Sequence, residues 1–121
     1  MRREASPGDE DARLVALCKK GDVDAFEELV IRHQKTILNI AYRILGNYED
    51  ACEITQDAFV SAYKSLKNFK ERARFSTWLY AIVLNLSRNR LKQMKTRQYY
   101  EKVSLDDPAI LPHSRSLRKR I

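Results

Sequence analysis

Aromatic and cationic residues alternate through one short stretch of this chain. Phe69, Phe75, Trp78 and Tyr80 are interleaved with Lys67, Lys70, Arg72 and Arg74. Cations neutralise phosphates, and aromatic faces accept unstacked bases at about 1–3 kcal/mol each. A protein that holds single-stranded or melted nucleic acid needs both. The plainer reading makes Phe75 and Trp78 core residues at the start of a helix. It loses ground because Asn85, Arg88, Asn89, Lys92 and Lys95 follow at three-to-four spacing. A stripe of that kind can track a phosphate backbone. On composition alone, a solvated basic helix and a nucleic-acid face both stay open.

A second constellation has the opposite sign. Glu49, Glu53, Gln56 and Asp57 share the outer side of a helical stretch, with Asp50 nearby. A solvated helix face is the plain interpretation. The sharper one is a docking site for a basic helix or coiled coil on another protein. Acidic docking and basic nucleic-acid faces on one small bundle suit an adaptor that attaches a large machine to DNA.

Enzymatic readings fail on the residue inventory. His33 and His113 are the only histidines, and His33 falls on an apolar helical stripe, where a hydrogen-bonded core or boundary histidine is the default. No His, Cys, Asp or Glu set has metal-ligand spacing. Isolated glycines make no phosphate loop, and no nucleophile has a base at a recognisable spacing. Neither catalysis, a metal nor a cofactor is expected. Cys18 and Cys52 form no Cys-x-x-Cys pair and read as two buried thiols in a reducing compartment.

The 121 residues suit one domain, and 44% hydrophobic content is enough for a core. The net charge of +7 points to a polyanionic partner, either nucleic acid or a lipid surface. That charge is uneven: nine basic and twelve acidic residues precede position 67, whereas residues 67–102 carry ten basic and two acidic. No continuous apolar run matches a signal peptide or a bilayer span, so a cytoplasmic location without membrane insertion is expected.

The elements that must position these residues are helices. A short first helix fits Glu10–Lys20, with Gly21 as its C-terminal cap and Asp22 as the N-cap of the next. The second helix carries Phe26, Leu29, Val30, His33, Ile37, Ile40, Ala41, Ile44 and Leu45 at three-to-four spacing. Gly46-Asn47 stops it, and Asn47 can cap a third helix with apolar positions Ala51, Ile54, Ala58, Phe59, Ala62, Tyr63 and Leu66. Residues 67–75 read as a loop. Ser76 or Thr77 can cap a fourth helix to about residue 98, turning Trp78, Leu79, Ile82, Val83 and Leu86 inward. The expected class is all-α: a compact bundle of three long helices plus one short N-terminal helix, over residues 10–100. Residues 1–9 read as a disordered N-terminus and 101–121 as a linker or disordered tail.

Two of these stretches resemble a known family. Asp50-Ala-Cys-Glu-Ile-Thr-Gln-Asp-Ala-Phe, followed by Phe69 and then by Phe75-Ser-Thr-Trp-Leu-Tyr-Ala-Ile-Val-Leu-Asn, is similar to region 2 of bacterial extracytoplasmic-function sigma factors. Gly21-Asp22-x-x-Ala25-Phe26-x-x-Leu29 also looks like that family, and the similarity covers about residues 10–100.

The resemblance implies a non-catalytic subunit for transcription initiation that docks on the β′ clamp helices of the RNA polymerase core. The matching positions are Asp50, Glu53, Gln56 and Asp57, with Phe59 behind them as core. It further implies recognition and melting of the promoter −10 element by holding the non-template strand. The matching positions are Lys67, Asn68, Phe69, Lys70, Arg72 and Arg74, then Phe75, Ser76, Thr77 and Trp78. Phe69 and Asn85 stand where the family pockets one flipped base, Arg88, Arg90, Lys92 and Lys95 would contact phosphates, and Asn89 lies among the DNA-binding positions. Capturing an extruded base offsets an unstacking cost of a few kcal/mol. An anti-sigma factor is a further partner that the resemblance allows. There are two departures. Asp57 stands where glutamate is more usual, and region 4, which reads the −35 element, has no counterpart here. The competing readings are a free-standing nucleic-acid-binding helical protein and a protein-interaction or membrane-surface helical module.

Overall fold

The computed structural model describes residues 7–106, Glu71 excepted. Four helices follow one another: α1 (Pro7–Lys19), α2 (Val23–Leu45), α3 (Tyr48–Ser65) and α4 (Phe75–Asp106), with a 3₁₀ turn at Leu66–Asn68 directly after α3. No strand occurs among the described residues. The expected all-α class is what the chain adopts.

The same two-residue device makes both junctions between the first three helices. Gly21 has φ +100°, and its N–H donates to Cys18 O (2.9 Å) while the Asp22 N–H donates to Leu17 O (3.1 Å). That bond pair closes α1, and a residue without a Cβ adopts this left-handed conformation at little cost. Asp22 then starts α2 by accepting from the Ala25 N–H (3.1 Å). Gly46 (φ +68°) and Asn47 repeat the pattern. Gly46 donates to Tyr42 O (2.8 Å), and the Asn47 side chain accepts from the Asp50 N–H (2.9 Å). Each cap satisfies backbone groups that a helix end would otherwise leave orphaned.

The chain divides into two compact units, Met1–Arg88 and Asn89–Ile121. In the first, α2 packs on both α1 and α3. Its core holds Leu14 and Val15 of α1, Leu29 and Ile37 of α2, Ile54 and Phe59 of α3, and Leu79 and Val83 of α4. Buried Ala25 and Ala41 on α2, with Ala51, Ala58 and Ala62 on α3, keep the side chains between neighbouring helices small. Ser87 is fully buried, and its hydroxyl has no hydrogen-bond partner among the described residues. In the second unit the remainder of α4 exposes Asn89, Lys92, Gln93, Lys95, Arg97 and Lys102. Tyr100 there is buried and packs edge-on against Tyr99 at 5.6 Å.

Several boundaries differ from the sequence reading. α1 begins at Pro7 rather than Glu10, so three residues assigned to a disordered N-terminus are helical; residues 1–6 lie outside the described residues. Proline suits a first helical position because the N–H it lacks would find no partner there. α4 starts at Phe75, with the Trp78 N–H on Arg74 O (3.2 Å). Ser76 and Thr77 therefore sit in its first turn and do not cap it. α4 also runs to Asp106 instead of 98, entering the stretch read as linker, because no helix-breaking proline occurs before Pro108. Residues 107–121, including His113, lie outside the described residues. Tyr63, placed with the apolar set of α3, is about half exposed and meets Phe26 edge-on at 5.0 Å. Cys18 and Cys52 are free but only half-buried, rather than buried.

Candidate nucleic-acid interface

The segment joining α3 to α4 begins as the 3₁₀ turn. Phe69 caps it in extended backbone (φ −67°, ψ 118°), and its N–H closes on Leu66 O at 3.1 Å. Between there and Phe75 the described residues form no helix or strand. The Arg72 N–H donates to Lys70 O (2.7 Å), which tightens the tip. Lys67, Asn68, Lys70, Arg72 and Arg74 are all exposed.

Beneath these cations lies a cluster of rings. Phe69 tilts against Trp78 with centroids 4.8 Å apart and planes at 35°, and Phe75 stands 6.1 Å from Phe69 and 5.8 Å from Trp78. Phe69 and Phe75 are only 4% and 3% exposed. Their faces are largely covered, so they form a floor. Trp78 is half-buried and retains open surface, as do Tyr80 and Ser76. Thr77 is exposed, and so are Asn85 and Arg88 further along α4. Asn85 lies two turns from Trp78, on the same side of the helix. A cavity of about 320 Å³ opens beside the floor, lined by Asp9, Ala12 and Val15 of α1 and by Phe69, Arg72, Arg74 and Phe75.

The floor is braced from α1 and α2 by residues that the sequence reading passed over or left unpartnered. Asp11 is 4% exposed and accepts from Arg32 Nε (2.9 Å); its other carboxylate oxygen lies 2.9 Å from His33 Nε2. His33 in turn packs its ring 5.7 Å from that of Phe75. The expected hydrogen-bonded boundary histidine is therefore found, with its partner named. Asp11 itself carried a signal: it shares a helical face with Leu14, Val15 and Cys18, an unusual place for an unpaired acid. From the other end of α1, Lys19 Nζ donates to Phe69 O at 2.7 Å. Burial raises the pKa of the neighbouring Cys18 thiol above its usual value, Asp22 adding to the effect.

The acidic constellation takes its place on α3, where Glu49, Glu53, Gln56 and Asp57 are exposed, Asp50 is half-buried and Phe59 is core. Val60, one turn beyond Gln56, adds an exposed apolar side chain. Among the described residues no His, Cys, Asp or Glu group is placed to hold a metal ion, and no helix is long and apolar enough to cross a membrane.

A helical body with a ring-floored basic loop on one segment and an acidic helix face on another defines a class of protein. The model of the family Sigma-70 region 2 matches residues 29–97, and the chain belongs to that family, in its extracytoplasmic-function branch.

Its relatives are specific. It is 41% identical over 83 residues to the ECF RNA polymerase sigma factor SigW of Bacillus subtilis, covering 69% of this chain and 44% of that protein. It is 32% identical over 110 residues to the RNA polymerase sigma-H factor of Pseudomonas aeruginosa, covering 91% and 57%. It is 37% identical over 81 residues to the ECF RNA polymerase sigma-E factor of Escherichia coli, covering 67% and 42%. The chain spans about half the length of these relatives. An NMR structure of an engineered region 2 of sigmaE in complex with GTAAAA superposes with a TM-score of 0.68 at 34% identity, covering 80% of this chain and 97% of that one. These matches do not favour a free-standing nucleic-acid-binding protein.

Proposed function

We propose that this chain is a promoter-binding module of RNA polymerase that captures the non-template strand of the −10 element through the loop from Lys67 to Arg74 and the start of α4. The observation that carries the reading is the stacked floor of Phe69, Phe75 and Trp78 under exposed cations, with Asn85 two turns along. An unpaired base needs an apolar surface to replace its lost stacking and a polar group to read its edge. Trp78 and Asn85 supply these, and Lys67, Lys70, Arg72 and Arg74 supply phosphate neutralisation. The GTAAAA in the complex of the region 2 neighbour supports this choice of ligand. Arg88 serves as a backbone contact, and the second unit's exposed Lys92, Lys95 and Asn89 offer phosphate contacts of their own.

Glu53, Gln56 and Asp57, with Asp50, form the side that docks on the β′ clamp helices. The chemistry asked of the protein is non-covalent: it binds unpaired bases better than paired ones and so favours the open promoter. The work is done in the cytoplasm with polymerase, and an anti-sigma factor would compete for either face.

Trp78, the only tryptophan, is a built-in probe. Titration of the 121-residue chain with a GTAAAA-type DNA strand and with a scrambled one, at two salt concentrations, tests the reading. Tighter binding of the first is expected, with Asn85→Ala relaxing base preference and Lys92→Gln weakening both strands alike. Equal affinity for both strands overturns it. Docking is tested separately by retention on immobilised β′ clamp helices, which Gln56→Ala/Asp57→Ala should abolish.

A further inference from the structure

We infer that Lys19, in the last turn of α1, is a positioning residue for strand capture: it holds Phe69, and through it the ring floor, in the geometry that receives a base. The inference rests on the strand-capture reading above and adds an element, α1, that lies outside the loop and α4.

Lys19 is engaged twice with the same residue, 50 positions away. Its Nζ donates to the Phe69 carbonyl oxygen at 2.7 Å and stands 5.7 Å from the centroid of the Phe69 ring. The first contact fixes the peptide plane at the point where regular structure ends. Phe69 caps the 3₁₀ turn in extended backbone, where its carbonyl lies outside the helical hydrogen-bond ladder and accepts from Lys19. The second contact favours one placement of the ring, because an ammonium near an aromatic ring is attracted by its quadrupole. That ring is the one tilted against Trp78 at 4.8 Å.

The lysine is itself well anchored. Its helix is closed two residues later by Gly21 and tied by Asp22 to the start of α2. A four-carbon stem on a fixed turn can therefore act as a strut. Lys19 is exposed overall, so direct contact with a DNA phosphate is the competing role. The two roles differ measurably. A phosphate contact contributes one released counterion to the salt dependence of binding, whereas a strut that spends its charge inside the protein contributes none.

The test uses the full chain with Lys19→Met, Lys19→Arg and, as a charge control one residue along, Lys20→Met. Trp78 emission and acrylamide quenching are read without DNA; affinity and its salt slope are read with the GTAAAA-type strand. Lys19→Met should shift Trp78 emission, raise quenching, and weaken binding about tenfold with the salt slope unchanged, as expected for loss of a charge-assisted hydrogen bond. Lys19→Arg, which keeps a donor and a cation, should restore emission and affinity. Lys20→Met should leave Trp78 emission as in the parent. Unchanged emission in Lys19→Met overturns the inference, as does a loss no larger than that of Lys20→Met or one that comes with a reduced salt slope. If the parent chain shows no preference for the strand, the capture reading itself fails. If the parent shows that preference and Lys19→Met keeps it in full, only the role of Lys19 fails.

Discussion

The outer face of α3 and the segment from Lys67 to Arg74 carry opposite charge, and they are also built in opposite ways. The α3 face is a regular helix whose Asn47 cap and buried Ala51, Ile54 and Ala58 set its geometry, so Glu53, Gln56 and Asp57 need only project from it. The basic segment has no such frame. After the 3₁₀ turn it has no regular frame among the described residues, and its order comes from outside: from Lys19 on the Phe69 carbonyl, and from His33, oriented by Asp11, against Phe75. A docking face comes with any well-packed helix. A surface proposed to accept an unstacked base has to be held open, and here residues of two other helices contact it.

That contrast can be broken most forcefully at Phe75. Phe75→Ala removes a ring 3% exposed that touches His33, Phe69 and Trp78, and should cost about 3–5 kcal/mol in urea unfolding. Asp57→Ala, on the exposed face, should stay within about 0.5 kcal/mol. Equal losses would mean that the two regions do not differ in kind. A smaller effect is expected from Asp11→Asn, which keeps the shape but removes the charged acceptor shared by Arg32 and His33. Because Arg32 is partly solvated, a loss of about 1–2 kcal/mol in the same assay is expected. Strand affinity should fall while retention on the clamp helices is untouched, and a matching fall in both would erase the distinction. The smallest effect concerns Cys18. With its thiol pKa raised by burial, less thiolate is present at neutral pH, so alkylation should be several-fold slower in the native chain than in urea. Equal rates would show that the α1 terminus is loosely packed.

Much of the frame could be read from residue order. Gly21-Asp22 and Gly46-Asn47 announce their junctions because only a few residue types can end one helix and cap another. The acidic stripe on α3 was visible for the same reason: helical spacing alone decides which side chains share a face. The ring floor was legible only in part. Spacing placed Phe69, Phe75 and Trp78 near one another, but which ring faces solvent depends on packing from α1 and α2, and no local pattern records that. Lys19 on Phe69 O had no signal, since any exposed lysine before a helix-ending glycine looks alike. The start of α4 was misplaced because Ser76 and Thr77 are good caps in isolation, whereas burying Phe75 draws the helix back two or three residues.

One feature of α3 sets a distance. The helix passes into the 3₁₀ turn and then Phe69 with no intervening linker, so Asp57 and the loop lie on one continuous stem. At about 1.5 Å per residue, Ser65 lies roughly 12 Å along the axis from Asp57. On the proposed reading, a polymerase held on the shaft of that stem would receive the melted strand at a fixed offset. On that reading the domain would be a gauge as well as an adhesive, registering where on the DNA the bubble begins.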